Sequence, residues 1–342
     1  AKDGQLVAFE TYGDATNDTR YVIFSATKPF VASTVWHLLA EGKLSVDLRI
    51  ADLIPEFGTN GKDVITLEQV MLHTSGFPTP IFNPRHWDDR DKRLAAFESW
   101  GLDYEPGTRY WYHATSAHWV LAEVIERVTG RDFRDVVREL VVDPLGLPRF
   151  ALGGHAATEG EFAELVLRGE RMTPDELEAF IGLRELPITE AADENLPNLN
   201  DPEARAVGVP GGGAVATAAD LALFYQALMH NPGGLWDDEL LRDATGRVRN
   251  DLPDPLMRVP ASRGLGVLIA GEDGKGFMRG FGKTNSARAF GHNGAAGQIA
   301  WADPETGLSF GYVTNGIDRH MLRQGRRGVG LSSRAALCAY PA

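Results

Sequence analysis

The stretch YVIFSATKPFVAS occupies residues 21–33 and decides the fold. Its first four residues are apolar or aromatic and predict a strand that runs directly into Ser25. Because Pro29 lacks a backbone N–H, it is tolerated only near the first turn of a helix. The sequence therefore predicts a helix that starts at about Ser25 and ends at Gly42. The apolar residues that mark its buried face are Val31, Val35, Leu38 and Leu39.

Ser25 and Lys28 form the only Ser-x-x-Lys pair in the 342-residue sequence. At a helix N-terminus, unpaired N–H groups and the helix dipole stabilise a developing negative charge. Side chains three positions apart lie on one helix face, so the lysine can reach the serine hydroxyl. A lysine acts as a base near neutral pH only if its pKa falls to roughly 7–8. We therefore expect a third side chain that helps Lys28 take the proton from Ser25. A chance pair on an ordinary helix is the alternative.

Tyr110 and Tyr112 are candidates for that third group. They precede a strongly periodic helix predicted over residues 115–130, where a loop can aim a phenol into a cleft. A tyrosine bonded to Ser25 and Lys28 can carry the proton as a phenolate held by the lysine charge. Taken alone, a packed aromatic is the more common role for either tyrosine.

Ser309 is a rival nucleophile. It lies in Gly307-Leu308-Ser309-Phe310-Gly311, which matches the G-x-S-x-G pattern of a nucleophile elbow. That elbow needs a strand, a sharp turn at the serine and then a helix. Apolar residues instead alternate over 308–313, which predicts a strand with no helix after it. We therefore interpret Ser309 as a strand residue.

The composition narrows the partners. A formal net charge of −13 and a pI near 5.2 make nucleic acid and membrane surfaces poor partners, so a small-molecule substrate is expected. Cys338 is the only cysteine and no H-E-x-x-H occurs, so we predict no metal and no cofactor. The glycines at 211–213 lack a P-loop lysine and precede a capping box at Thr217-x-x-Asp220, so they indicate backbone freedom. Localisation is left open with the cytoplasm favoured, and oligomeric state is not predicted.

Strand patterns occur at both ends of the chain and helix patterns between them. The predicted strands cover residues 5–11, 21–24, 264–270, 298–302 and 307–315, and further helices are predicted from Thr66 and around 136–143. Strands from both ends most simply form one sheet, which predicts an α+β molecule in two parts. The parts are a discontinuous sheet domain, 1–46 and 208–342, and a helical domain, 47–207. Within the latter, residues 153–207 predict helix-and-loop surface, with a lid over the cleft as one role open to them.

The sequence contains five motifs in the order FSATKPF, MLHTSGFP, EPGTRYWYHA, PGGGAVATAADLALFYQAL and FGHNGAAGQIAWADPETGLSFGYVTNG. Their order resembles that of the serine β-lactamase and penicillin-binding-protein superfamily. The resemblance is to the class C β-lactamase-like branch, closest to the family VIII carboxylesterases. It implies a β-lactamase/transpeptidase-like fold, an antiparallel sheet flanked by helices plus an inserted helical region, and it selects Tyr112 as the catalytic phenol. The resemblance also implies that this sequence begins after the family's first helix and first strand, which would leave one edge of the sheet uncovered.

Two departures from the family pattern bear on the substrate. Ala114 stands where the family's Y-x-N motif has Asn, and His292-Asn293-Gly294 stands where it has K-T-G. A site with a mostly neutral imidazole in place of that lysine loses charge-assisted bonds to a substrate carboxylate, each worth roughly 1.5–3 kcal/mol. Neutral esters carry no carboxylate and so lose no such bond. Lys283-Thr284-Asn285 looks like a displaced K-T-G, but it lacks the final Gly and precedes the His292-Asn293-Gly294 stretch, so it is interpreted as a loop decoy.

The sequence therefore predicts a serine carboxylesterase that forms an acyl-enzyme on Ser25, with Lys28 and Tyr112 as proton relay. By resemblance, the backbone N–H groups of Ser25 and Ala295 form the oxyanion hole. The alternatives are a β-lactamase or D-amino-acid peptidase or amide hydrolase, an acyltransferase, and a non-catalytic binding protein. The residues expected to position a small ester are His292, Asn293 and Gly294.

Overall fold

The computed structural model describes residues 1–80, 82–185 and 195–339. Its strands, β1 to β9, are Tyr21–Val22, Ala151–Leu152, Val166–Arg168, Ala214–Ala216, Leu268–Ile269, Phe290–Gly291, Ile299–Asp303, Leu308–Tyr312 and Gly316–Asp318. Its α-helices, α1 to α11, are Lys28–Ala40, Ile50–Leu53, Leu67–Met71, Arg90–Ser99, Ser116–Thr129, Phe133–Val137, Pro174–Ile181, Pro202–Val207, Ala218–His230, Asp238–Gly246 and Met321–Leu337. Within these residues, no helix has both the length and the apolar character needed to cross a membrane.

The strand, turn and helix predicted around Ser25 are confirmed. A 3₁₀ turn, Phe24–Thr27, follows β1, and α1 begins at Lys28, slightly later than the predicted start. Pro29 lies in the first turn of α1, where its missing N–H leaves no hydrogen bond unmade. The turn thus presents Ser25 at the N-terminal end of a buried helix.

Helix α1 is held by aromatic packing. The Phe30 ring stacks against Phe150 and Phe224, with ring centroids 4.0 and 3.8 Å away. Farther along, the Trp36 indole N–H donates to the Leu265 carbonyl at 3.0 Å. Each buried aromatic of this kind contributes about 1.5–3 kcal/mol through the surface removed from water. The helix, and the turn before it, are therefore fixed within the main core.

A four-stranded antiparallel sheet, in the order β5-β6-β7-β8, forms the second half of the architecture. Strands β7 and β8 confirm the predicted pair over 298–302 and 307–315, with Trp301 opposite Phe310. The predicted strand over 264–270 shortens to β5. At Gly266 the backbone has φ +96°, and an added Cβ would lie 2.3 Å from Ala32 in α1, so this residue turns against the helix instead of extending the strand.

The predicted strand over residues 5–11 is wrong. Gln5 forms only an isolated bridge with Lys2, and Leu6 and Val7 beyond it are 41% and 64% exposed. An alternating pattern becomes a strand only where a neighbour accepts its hydrogen bonds, and in the described part of the chain no strand pairs with these residues.

The prediction of one sheet built from both chain ends is also wrong. Strand β1 pairs with β4, which pairs in turn with β2, and these three form a separate sheet. The Ile23 N–H donates to the Ala214 carbonyl at 3.0 Å, so the segment after the glycine run takes the place expected for the C-terminal strands. The first residues meet the C-terminal strands elsewhere: Lys2 forms an isolated bridge with Leu308 of β8, and the Ala1 amino group donates to the Ser309 carbonyl at 2.8 Å.

The helix signals between the sheets are confirmed. Thr66 and Gln69 form a reciprocal capping box at the start of α3. Helix α5 ends at Gly130 in the left-handed conformation, and α6 runs into a π-helical segment, Arg138–Val142, before Pro144. The domain boundaries at 46/47 and 207/208 stay a prediction.

The predicted surface segment, 153–207, contains α7 and α8 together with β3, which pairs in parallel with β9. Residues 186–194 of this segment lie outside the described residues. Its role as a lid stays a prediction. Taken together, helices packed on an antiparallel sheet confirm the predicted α+β class.

Candidate active site

Ser25 occupies a strained and accessible position. Phe24, just before it, has φ +46°, a left-handed conformation that costs a non-glycine residue roughly 1–3 kcal/mol. The Phe24 ring is buried in a small apolar cluster with Val22 and Val215, which holds the strained backbone in place. Between positions 22 and 36, Ser25 is the one residue that is not fully buried. The turn therefore exposes a hydroxyl from an otherwise buried run.

Lys28 points back at Ser25. Its Nζ lies 3.4 Å from the Ser25 Oγ and donates to the carbonyls of Ala114 and Gly211, each at 2.6 Å. Lys28 as a whole is 1% exposed. A Cβ at Gly211 would lie 2.9 Å from the Ala114 oxygen and 3.2 Å from Nζ, so the glycine run is needed for this close approach. This agrees with the predicted role of those glycines.

Tyr112 completes the group. Its hydroxyl donates to the Ser25 Oγ at 2.8 Å, and the Lys28 Nζ lies 5.0 Å from the centre of its ring. Burial raises the pKa of Tyr112, while the charge of Arg263 and the bond to Ser25 lower it, and the net direction is upward. The resting phenol is therefore protonated at neutral pH. The three predicted side chains meet at one point.

Tyr110 faces away from that point. Its hydroxyl accepts a hydrogen bond from the Arg263 Nε at 3.0 Å, and it is 3% exposed. Burial raises its pKa, opposed by Arg263 and reinforced by Asp254. Of the two candidate phenols, only Tyr112 has a hydrogen bond to Ser25 among the described contacts.

The segment that follows β6 closes the site. Because a carbonyl can only accept, the His292 Nδ1 donates to the Asn293 carbonyl at 2.9 Å, and the ring centre lies 6.0 Å from that of Tyr112. Burial, with the charges of Arg263 and Lys28, holds the pKa of His292 well below its usual value. The imidazole is therefore neutral at pH 7, as the sequence predicted for this position.

The neighbouring residues fix this segment against the serine turn. The Asn293 side-chain oxygen accepts from the Ala300 N–H at 3.1 Å, which ties the segment to β7. A Cβ at Gly294 would lie 2.2 Å from the Ile23 carbonyl, so only glycine permits the approach to the chain just before Ser25. The closing segment and the nucleophile turn are thus in backbone contact.

Two backbone donors are free near the serine. In the described structure, neither the Ser25 N–H nor the Ala295 N–H donates to a protein acceptor. Ala295 directly follows Gly294, the residue packed on Ile23. Unpaired N–H groups beside a nucleophile are what an oxyanion hole requires. Their assignment to that role stays a prediction.

The beta-lactamase family model matches residues 1–332. The chain belongs to the beta-lactamase family. It is 30% identical over 321 residues to the esterase/beta-lactamase LipL of Mycobacterium tuberculosis, covering 87% of this chain and 70% of LipL. A penicillin-binding protein homolog from Caulobacter crescentus superposes with a TM-score of 0.75 at 27% identity, covering 95% of this chain and 85% of that one. For a family VIII carboxylesterase the TM-score is 0.73 at 26% identity, with coverages of 93% and 84%.

These likenesses confirm the resemblance and the fold predicted from the motifs. This beta-lactamase family member is a serine hydrolase of the beta-lactamase fold. In the residues that the structure describes, no three His, Cys, Asp or Glu side chains are grouped to hold a metal ion.

The two rival motifs, around Ser309 and around Lys283, are held by hydrogen bonds away from the Ser25 site. Ser309 lies in β8, where its hydroxyl donates to the Ala222 carbonyl at 2.6 Å and accepts from Gln226 at 3.1 Å. Lys283 and Thr284 bond to Ser333 of α11. Both findings agree with the interpretation of these motifs as a strand serine and a loop.

The sequence reasoning missed two residues of this family member's site. His73, buried with φ +58°, has its ring centre 4.9 Å from that of Tyr112, and its Nδ1 accepts from the His113 N–H at 3.1 Å. Its position in the MLHTSGFP motif was the available signal. Arg263, whose Cζ lies 5.2 Å from the Tyr112 ring centre, was marked by a lone charge inside the apolar stretch VPASRGLGVLIA.

Proposed function

We propose that this protein is a serine carboxylesterase acting on small neutral esters. The observation that carries the proposal is the meeting of the Ser25 Oγ with the Tyr112 hydroxyl at 2.8 Å and the Lys28 Nζ at 3.4 Å. Nucleophile and proton acceptor within hydrogen-bond reach are what acyl transfer requires.

Acylation follows from these distances. Tyr112 first loses its phenolic proton to solvent. The Ser25 oxygen then forms a bond to the ester carbonyl carbon as its proton passes to the Tyr112 phenolate oxygen, the nearer of the two groups. The carbonyl π electrons move onto the oxygen, which the N–H groups of Ser25 and Ala295 would hold, each worth about 10²–10³ in rate. Collapse expels the alkoxide, which takes the proton from Tyr112. Water then attacks the acyl-enzyme, and the same groups carry its proton in reverse order to release the acid.

Lys28 is positioned to support both steps. Its bonds to Ala114 and Gly211 fix Nζ, and its charge lies 5.0 Å from the Tyr112 ring centre. A cation at that distance stabilises the phenolate form. The role proposed for Lys28 is therefore to favour proton transfer from Ser25 to Tyr112 and back to the leaving group.

The charges around the site favour an ester over a substrate that carries a carboxylate. His292, at the position of the family's K-T-G lysine, is neutral. Lys28 is 1% exposed and bonded to two carbonyls, and Arg263 is 3% exposed and bonded to Tyr110. A carboxylate entering the site would lose water without gaining a matched cation. The printed name of LipL, esterase/beta-lactamase, makes β-lactam hydrolysis the second candidate.

Paired substrates test the choice. We expect the purified protein to turn over p-nitrophenyl butyrate with a kcat/KM at least about 100-fold above that for nitrocefin, since two lost charge-assisted bonds amount to about 3 kcal/mol. Ser25→Ala should abolish turnover of the ester. A nitrocefin kcat/KM equal to or above that of the ester would contradict the ester assignment and favour the second candidate.

A further inference from the structure

A second buried cation lies beside the Tyr112 ring. The Arg263 guanidinium is 5.2 Å from the ring centre of Tyr112 and 5.3 Å from that of Tyr110. Its Nε donates to the Tyr110 hydroxyl at 3.0 Å. At these distances a unit charge in a buried site interacts strongly with either phenol.

Arg263 has no acidic partner in the described part of the chain. It forms no ion pair there, and its Nη1 has no hydrogen-bond partner. A buried charge is ordinarily paired, because removing it from water alone is costly. A cation retained without a carboxylate next to a catalytic phenol is therefore better explained by its effect on that phenol than by its effect on stability.

The backbone around Arg263 fixes where the side chain lies. Its N–H donates to the Asn250 carbonyl at 2.9 Å, and its own carbonyl accepts from the Asn250 N–H at 3.2 Å. The next residue, Gly264, packs so tightly that a Cβ would lie 2.3 Å from the Ala244 carbonyl. A charge held this way does not need to reorganise when charge develops nearby.

The other groups that face Tyr112 leave this charge unopposed. Ser25 and Lys28 approach from the start of α1, His73 from the turn after α3, and His292 from the segment after β6. Burial, with a contribution from Arg263, lowers the pKa of both histidines, so they are neutral at pH 7. His118 on α5 stacks on His73, and burial lowers its pKa in the same way. The negative charge of Asp254 raises the pKa of Tyr110.

We propose that Arg263 is a positioning residue for acylation: its fixed positive charge beside the Tyr112 ring stabilises the phenolate that accepts the Ser25 proton. This inference rests on the proposed function. The proton that leaves Tyr112 beforehand passes to solvent, so the acylation rate rises with pH as the phenolate fraction grows. During acylation the Ser25 proton replaces it while the Oγ–C bond forms. With a neutral His292 on the closing segment, Arg263 and Lys28 supply the positive charges at this phenol.

The test measures acylation without an ester substrate. A fluorophosphonate phosphonylates an activated serine and expels fluoride, and intact mass reports the adduct, so the second-order rate can be followed from pH 5 to 10 in each variant. We expect R263Q to move the acid limb of this profile to higher pH by about 1 unit or more, and to slow labelling at neutral pH by about 10-fold or more. R263K keeps a positive charge there, so its limb should lie between those of wild type and R263Q.

Arg249→Gln is the matched control. Arg249 lies on the segment that pairs with residue 263, but its guanidinium bonds to Asp243 and Glu68 instead of a phenol. Its loss should lower stability and leave the pH profile in place. A profile of R263Q that superimposes on wild type would overturn the inference and leave Arg263 a structural residue. If R263Q does not fold, R263K decides: a profile that superimposes on wild type overturns the inference, and an acid limb displaced to higher pH supports it.

Failure of this inference and failure of the proposed function give different results. Wild-type protein that takes no adduct at any pH would overturn both. Wild-type protein that labels at Ser25, with R263Q labelling on the same pH profile, would overturn the role of Arg263 alone.

Discussion

Two serines in different regions show how similar local signals lead to different uses. Ser309, in the better-known motif, lies in the regular strand β8, where its hydroxyl is engaged by Ala222 and Gln226. Ser25 lies in a strained turn at the start of α1, where it meets Tyr112 and Lys28. A regular strand lets neighbouring backbone groups satisfy a hydroxyl. A turn with left-handed backbone at Phe24 projects it toward groups from distant parts of the chain.

The different roles of the two serines therefore depend on backbone conformation more than on the sequence motif around each serine. The strain at Phe24 is maintained because its ring is buried in the apolar cluster with Val22 and Val215. Strain that persists at one residue, next to an accessible hydroxyl, is common at functional sites.

The largest expected effect separates the two serines directly. Ser25→Ala should lower kcat/KM for p-nitrophenyl butyrate roughly 10⁴-fold or more, because nothing else in the site can form the acyl-enzyme. Ser309→Ala should leave kcat/KM within a factor of about 2 and lower the free energy of unfolding by about 1–2 kcal/mol, through the lost bond to Ala222. Steady-state kinetics and urea unfolding measure both. Equal losses of activity in the two variants would remove the distinction between these regions.

A smaller effect should come from the glycine that brings the closing segment to the serine turn. Gly294→Ala places a Cβ 2.2 Å from the Ile23 carbonyl, so the segment carrying Ala295 must move away. A displacement of about 1 Å costs about 10²-fold in kcat. Gly101→Ala is the control, because a Cβ there has no atom within 4 Å and its backbone is not left-handed. Unchanged kcat in Gly294→Ala would show that the contact does not position the oxyanion donors.

The smallest effect is on stability. Burial is the main cause that lowers the pKa of His113, which follows Tyr112, to about 3. The β7–β8 hairpin that carries Ser309 contains no histidine, so this pH dependence belongs to the Ser25 region alone of the two. A depressed histidine pKa means that the unfolded chain binds the proton first, so stability is complete above about pH 6.5 and falls as the pH drops toward 3. His113→Asn should reduce this slope by up to about 1.4 kcal/mol per pH unit. Urea unfolding between pH 4 and 7 measures it, and an unchanged slope would show that His113 does not titrate on unfolding.

Much of the fold was predictable because its signals are local. Capping boxes at Thr66 and Thr217, the glycine after α5 and the proline in the first turn of α1 each act within a few residues of chain. The predicted strand over 5–11 was wrong because a strand needs a hydrogen-bonding partner, and that partner is set by the tertiary fold and not by neighbouring residues. The same limit applies to the sheet that β1 joins, which contains β4 and β2.

The residues of the site also divide into those that local sequence predicts and those that it does not. Ser25 and Lys28 were predictable as a pair, since one helical turn separates them. The role of Arg263 was not, because its lone charge marks the residue but nothing in the sequence relates residue 263 to residue 112. Its importance comes from a distance of 5.2 Å across the interior, set by the packing of the segments around residues 250 and 264.

By itself, the sequence determined a strand, turn and helix around Ser25, the capped helices and the order of motifs, because short-range sterics and hydrogen bonds decide these. The tertiary structure alone decided the distances: that the Tyr112 hydroxyl lies 2.8 Å from the Ser25 Oγ, that the Ser309 hydroxyl bonds to Ala222 and Gln226, and that a buried guanidinium lies over the phenol ring. Those outcomes depend on which surfaces pack together over the whole chain, and burial and charge act through space regardless of separation in sequence.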